Sequence, residues 1–356
     1  MIDRLDTGED NDFLKLIVER PVHELPQLFK TREPDIVEAA QAGMIPAPAA
    51  VSAMRAHGAE EGPAADVSIG YSALAKNDYR LEVRLQHPSV ATVLFAQEVV
   101  QRANGRARIA EYQGLKVHAA ALGPSGSLPL SIGCSVGHPK SPPGTLGLFV
   151  KSPEGVGILS NSHVLARCGR ARRGDLIYAP HPSDPGAGAV KIAKLSKFSN
   201  LVHDDGVASD AALALLNDGV GYAGNKIPDT LPDAGKHLIR SSKTPVPGLR
   251  KVSKIGRTSR HTSGTFSAAD IDPTVEYPGL GDVKLTGMFE ILWDSPQLAF
   301  SEPGDSGSVV YLPDTMEAIA LVVGGGVRIA DGVSEGVSIA CPLEHVLAEW
   351  ELSLLG

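Results

Sequence analysis

Cysteine is scarce in this chain of 356 residues: there are three, Cys134, Cys168 and Cys341. They are odd in number and far apart, so they form neither a metal-ligand spacing nor a secreted disulfide framework. Three unpaired thiols fit a reducing compartment, and a cytoplasmic location is expected. A basic leader followed by an apolar run is also missing, because the first residues carry Asp3, Asp6, Glu9, Asp10 and Asp12 instead. The longest apolar stretch, near Ile319–Val327, is far too short to span a membrane, so no membrane partner is expected. Positive charge is in deficit, with 33 Lys and Arg against 41 Asp and Glu and a net charge of −8. That excludes a generic phosphate-binding surface, and with it a nucleic-acid partner. No spacing implies a cofactor or a metal. His203, Asp204 and Asp205 lie together, but adjacent ligands on a loop read as an exposed turn.

Glycine and proline are plentiful. The 38 glycines and 26 prolines exceed the roughly 12% of average usage, which argues for many short strands and turns over a helical bundle. Residues 1–62 form the least regular part, read as an arm or linker with short helices. Residues 63–128 read as a small α/β domain. In it Tyr79–Leu85 alternates apolar and polar residues as a half-buried strand, Pro88–Ala103 has helical spacing, and Arg108–Tyr112 alternates again. From residue 129 short alternating runs recur between Gly and Pro clusters: Ser131–Val136, Thr145–Lys151, Gly155–Leu159, Asp175–Tyr178, Val190–Leu195 and Ala211–Leu215. A second set follows a turn-rich Pro228–Pro247: His237–Arg240, Lys251–Ile255, Gly264–Ala268, Leu285–Leu292, Ser308–Leu312, Ala318–Val323 and Gly336–Cys341. Pro342–Trp350 reads as a closing helix. The expected fold is mainly β, two packed antiparallel β-barrels over 129–227 and 228–356, with the small strand–helix–strand extension before them.

Three segments carry chemistry. In Ile158–Ala166 an apolar strand runs into His163. In Ser209–Leu216 Asp210 stands at the mouth of a buried strand. In Phe300–Val310 a Gly-rich turn presents Ser306 and enters a strand. A serine hydroxyl needs a base within reach, imidazole suits that role, and a buried carboxylate fixes the imidazole tautomer. An oxyanion needs donors, which the N–H groups of Gly304 and Ser306 supply in this reading. His261 is a rival base, but it follows no apolar strand. Asp204 and Asp205 rival Asp210 from an exposed turn.

From about residue 129 the chain resembles the trypsin-like (chymotrypsin-fold) serine peptidases. Gly304-Asp305-Ser306-Gly307, Ser162-His163 and Asp210-Ala211-Ala212-Leu213 carry the resemblance, in the order His, Asp, Ser. Leu159-Ser160-Asn161-Ser162-His163-Val164-Leu165-Ala166, Gly144-Thr145-Leu146-Gly147 and Gly256-Arg257-Thr258-Ser259 are similar to the intracellular, mostly bacterial branch, which extends to plant relatives of the narrow-leaf type. The resemblance implies a serine endopeptidase with catalytic His163, Asp210 and Ser306, acting on protein or peptide substrates. It also implies substrate contacts at Phe300, the pocket-floor position, at Ser301, and at Gly324 and Gly325, an open strand edge for the substrate backbone. Secreted members carry a cysteine after the catalytic His, where this chain has Val164. Secreted zymogens pair a freed amino terminus with the Asp before the nucleophile; without one, Asp305 needs a Lys, Arg or backbone donor. The alternatives are a catalytically inactive peptide-binding module of the same fold and an esterase, although esterase folds use a different nucleophile elbow and residue order. The amino-terminal 128 residues hold none of the three catalytic positions and read as regulatory, covering the site or docking a protein partner.

Overall fold

The computed structural model describes residues 66–355, apart from 76–77, 104–105, 118–128, 187, 203–205, 241–246, 249 and 296. The arm expected over 1–62 and the His203–Asp205 cluster lie outside the described residues. The chain is mainly β. It begins with β1 (Val67–Ala75), β2 (Asp78–Gln86), α1 (Val90–Arg102) and β3 (Ala107–Lys116). There follow β4 (Ser135–Val136), β5 (Gly144–Thr145), β6 (Leu148–Ser152), β7 (Gly155–Ser160), the one-turn helix α2 (Ser162–Leu165), β8 (Leu176–Ala179), β9 (Val190–Phe198) and β10 (Ala212–Leu216). The remainder holds β11 (Ile239–Arg240), β12 (Arg250–Gly256), β13 (Arg260–Ile271), β14 (Thr274–Tyr277), β15 (Gly281–Lys284), β16 (Met288–Trp293), β17 (Val309–Leu312), β18 (Glu317–Ala330) and β19 (Val333–Pro342), then α3 (Leu343–Glu349) and β20 (Ser353–Leu354).

Two large sheets organise most of these strands, and β4 and β5 pair separately. One runs β20–β6–β7–β10–β9–β8. The other contains β12–β17–β18–β19–β16–β13, with β12 and β13 also paired, so this path returns on itself. Phe266, Phe289, Ile291, Phe300 and Val310 fill its apolar interior. The same β18–β19–β16–β13 ladder closes a second ring of seven strands through β1, β2 and β3. Strands β2 and β3 flank α1, and with β1 they are continuous with the sheet of the carboxy-terminal half: β1 pairs β13 and β3 pairs β18.

Helix α1 starts at Ser89, whose Oγ accepts from the Thr92 N–H while Thr92 Oγ1 accepts from the Ser89 N–H, a capping box. Its Phe95, Ala96, Val99 and Ala103 stripe packs on Val67, Ile69, Leu81, Val83 and Leu85. The alternation in β2 predicts that its opposite face meets solvent. That face is buried as well, because the seven-strand ring closes over it. There Arg84 forms a two-pronged pair with Glu290, Nε to Oε2 at 2.7 Å and Nη2 to Oε1 at 2.9 Å. Glu290 also accepts from Tyr112 Oη at 2.5 Å, Ser267 Oγ at 2.7 Å and Arg328 Nη1 at 2.9 Å. Burial favours the neutral acid, but two guanidiniums and the phenol outweigh it and hold the Glu290 carboxyl far below the usual carboxylate range.

This network joins β2 and β3 to β16 and β18. Arg84→Leu leaves Glu290 buried with half its compensation gone, so a loss of about 3–5 kcal/mol is expected in urea unfolding. A change under about 1 kcal/mol, the scale of an exposed pair, would show that the network does not join the two parts.

Candidate functional site

The β7–β10 ladder sets Ser160 opposite Ala212, which brings the residues just beyond both strands to one end of the sheet. His163 and Asp210 meet there. His163 Nδ1 lies 2.5 Å from Asp210 Oδ2, and the His163 main-chain N–H donates to Oδ1 at 3.2 Å. Asn161 ties the two segments further, its Nδ2 donating to the Asp210 carbonyl at 2.6 Å. Tyr277, from β14, completes the surroundings of the carboxylate. Its hydroxyl donates to Asp210 Oδ2 at 3.1 Å and its ring stands edge-on to the His163 ring at 5.6 Å. Burial, then the Asp210 charge, pushes the Tyr277 hydroxyl well above its ordinary pKa, so it is a donor at all ordinary pH. With the N–H held by Asp210, the other ring nitrogen is left as acceptor. That Nε2 is buried and without a hydrogen-bond partner among the described residues.

Ser306 sits in a turn built from both halves of the chain. Gly304 has φ 101° and Gly307 φ 88°, values that suit glycine. A Cβ on Gly307 would also collide with Ser160 Oγ. Thr145 braces the turn twice, its N–H donating to the Ser306 carbonyl and its Oγ1 to the Gly304 carbonyl, each at 2.8 Å. Thr145 Oγ1 in turn accepts from the Arg257 N–H at 3.1 Å. The two glycine-bearing motifs at 144–147 and 256–259 therefore act together, wrapping the Ser306 turn from two sides. Within it the Asp305 and Gly307 N–H groups are engaged by Glu302 and Val322 carbonyls. The Ser306 hydroxyl donates to the Val323 carbonyl at 3.0 Å.

Asp305 is fully buried. Its partner is Lys254 of β12, Nζ to Oδ2 at 2.8 Å, also fully buried. Ser259 Oγ donates to the same oxygen, the Glu302 N–H adds a bond at 3.0 Å, and the Thr258 and Ser259 N–H groups hold Oδ1 at 2.9 and 3.2 Å. Burial opposes ionisation, but the Lys254 charge and these donors prevail and hold the carboxyl below its usual range. The Lys254 ammonium thus stands where the resemblance would place a freed amino terminus.

Of the remaining sequence-derived positions, Phe300 is fully buried in the apolar interior of the β12–β17 ring, with its carbonyl accepting from Thr262 Oγ1 at 2.6 Å. Ser301 Oγ lies 2.7 Å from Ser338 Oγ. Gly324 and Gly325 lie on β18, but the edge expected to be open is paired with β3. His261, the rival base, stands on β13 opposite Ile255. Tyr277 and Lys254 are the site residues that sequence reasoning misses, since neither stands in a motif.

No family model and no curated protein matches the chain. Among solved structures it is similar to Nocardiopsis protease (NAPase), at 19% identity and a TM-score of 0.43, over 64% of this chain and 98% of that one. It is similar to Cellulomonas bogoriensis chymotrypsin at 15% identity and 0.42, over 63% and 97%. Thermobifida fusca protease A gives 16% identity and 0.42, over 63% and 97%.

Lys254→Met leaves a carboxylate buried without its cation, which costs about 3–5 kcal/mol and loosens the Ser306 turn. Denaturant melts and amide exchange at 304–307 measure both. Because the fold binds the Asp305 anion, the stability it lends is fully present above the ordinary carboxylate range and is lost as pH falls through its depressed folded value. Asp305→Asn should therefore flatten the acid limb of the stability–pH curve; an unchanged limb would count against this role.

Proposed function

We propose that the chain is a serine endopeptidase that cleaves peptide bonds through Ser306, His163 and Asp210. The observation that carries this reading is the buried His163–Asp210 pair, whose second imidazole nitrogen has no partner among the described residues, braced through the β5–β7 segment against the turn that holds Ser306. In this reading the sheet of β6–β10 with β4 and β5 is the first of two barrels of the trypsin-like type, and the ring of β12, β13 and β16–β19 is the second. The branch resembled is the intracellular one, and the three cysteines, all free and buried, suit a reducing compartment. Burial pushes the Cys168 and Cys341 thiols up to about 12, so neither competes as nucleophile.

The chemistry starts from a rotation of the Ser306 hydroxyl from the Val323 carbonyl to His163 Nε2. Ser306 Oγ then attacks the peptide carbonyl as its proton passes to Nε2. Asp210 stabilises the imidazolium, and the Gly304 and Ser306 N–H groups receive the oxyanion. The imidazolium proton leaves with the amine, giving an acyl-enzyme. Water, deprotonated by His163, releases the acid and restores Ser306. Tyr277 acts through Asp210 as a positioning residue. The substrate side chain before the scissile bond meets the segment at Ser301 and the Gly324–Gly325 edge, with the Phe300 ring buried in the core behind it. Phe300 offers no carboxylate for Lys or Arg, so a small or apolar residue is favoured there.

A fluorophosphonate probe should label the protein, and Ser306→Ala should abolish both labelling and peptide turnover, the latter by roughly a thousandfold or more. Unchanged turnover in Ser306→Ala rejects the assignment, and absence of labelling supports an inactive peptide-binding module instead. Tyr277→Phe should lower kcat by about tenfold with KM unmoved, the pattern of an interaction that matters in the transition state. A cleavage profile from a peptide library dominated by Arg and Lys would refute the specificity reading.

A further inference from the structure

Three glycines in a row, Gly324–Gly326, run along β18 immediately after Val323, whose carbonyl holds the Ser306 hydroxyl. In the peptidase reading this edge receives the main chain of a substrate by strand addition. The edge is taken. Strand β3 pairs antiparallel with it, Lys116 opposite Gly325, Gln113 opposite Val327, Tyr112 opposite Arg328 and Glu111 opposite Ile329. The contact is backbone on backbone. A Cβ on Gly324 would collide with the Lys116 carbonyl oxygen, and one on Gly326 would stand 2.7 Å from Gln113 O and 2.8 Å from Gly114 O. The glycines therefore fit β3 itself.

The grip on β3 is uneven. Its first part is anchored by the parallel ladder to β2, which ends at Gln86 opposite Tyr112, and by the Tyr112–Glu290 bond inside the charged network. Beyond Tyr112 the support changes. Gly114 takes φ 58°, and the β3–β18 ladder is irregular between Gly325 and Val327. The end that lies on the glycines is held on its other side by β14, through the Lys116–Glu276 pairing and the Val117 N–H bond to the Glu276 carbonyl at 2.9 Å. A left-handed glycine at a ladder irregularity is a natural hinge, and strand ends open locally at low cost while the anchored core stays folded.

We propose that the end of β3, Gly114–Val117, is an intramolecular occupant of the substrate main-chain edge, so that the full chain is a latent peptidase which admits peptides when this end detaches about Gly114. The inference rests on the peptidase reading and specifies how that site is regulated. The protein partner that would activate it is one that binds the detached end or the β14–β15 side.

Two variants of the full chain test this. Lys116→Cys with Glu276→Cys sets two exposed, directly paired residues for a disulfide that pins the end of β3 to β14. Val117→Pro removes the N–H that ties the end to the Glu276 carbonyl and so loosens it without touching the glycine edge. Each is assayed with an internally quenched peptide library, which needs the edge, and with a small fluorophosphonate, which does not. The oxidised double variant should cleave the library at least about tenfold more slowly than after reduction, and Val117→Pro several-fold faster than the wild type, while probe labelling of all forms agrees within about twofold. Equal cleavage in the oxidised, reduced and Val117→Pro forms with labelling intact, at any level including none, overturns the latency. Loss of labelling in every form overturns the peptidase reading and this inference with it.

Discussion

The turn that presents Ser306 depends on burying a charge. Asp305 lies between Gly304 and Ser306 and is sealed from solvent, and a lone carboxylate there would empty the turn of its order. Lys254 makes the burial tolerable, and the rest of the neighbourhood is shaped around the pair. Gly256 lacks a Cβ where the Asp305 carboxylate packs, and Thr258 and Ser259 follow it to supply N–H donors to Oδ1. Lys254 itself pairs with Val310 across the β12–β17 ladder. The strand that leaves the Ser306 turn is thus fixed by the strand that carries its counter-charge. Because the cation belongs to the body of the sheet, ordering of this turn needs no chain end. In the proposed reading, control of the site acts on access, which is where β3 stands.

A second buried charge system does different work. Arg84, Glu290 and Arg328 lie well away in the chain from one another, and each sits on a different strand of the seven-strand ring. The buried apolar face of β1 and β2 already disfavours a one-residue slip, and the charged network adds a second constraint on register. A carboxylate gripped by two guanidiniums has one register only. Arg328 also reaches Glu335 on the neighbouring strand, which extends the same registration to β19. The consequence for β3 is a firm half and a weaker half: Tyr112 is inside this network, whereas Leu115–Val117 lie past its reach. In the proposed reading, the firm half keeps β3 attached while the weaker half detaches.

The alternating runs make most strands of the carboxy-terminal two-thirds legible, because one face of each is apolar and Gly or Pro closes each end. Three features escape for physical reasons. The hairpin β14–β15 is interrupted by Pro273, Pro278, Gly279 and Gly281, so its short runs carry no period, and Tyr277 goes unseen with it. The alternation in β2 promises a solvent face, yet Glu82 and Arg84 are buried. Only the closure of a ring, a fact of long-range pairing, turns that polar face inward. That Asp305 requires a donor is legible from the charge alone. Which donor is not, since Lys254 is one lysine among many until the register of β12 against β17 is known.

The glycine run at 324–326 shows how one local pattern supports two opposite expectations. Glycines on an edge strand leave room for an incoming backbone, which reads as an open site. The same absence of side chains leaves room for a backbone that is already there. A bare strand edge beside a reactive serine is also a hazard, since its unpaired N–H and C=O groups accept any extended chain, including another copy of the same protein. Covering that edge from within satisfies its hydrogen bonds and excludes such pairing. In the proposed reading, the groups that would recognise a substrate backbone are those that β3 satisfies, so protection of the sheet and latency of the site follow from one set of contacts.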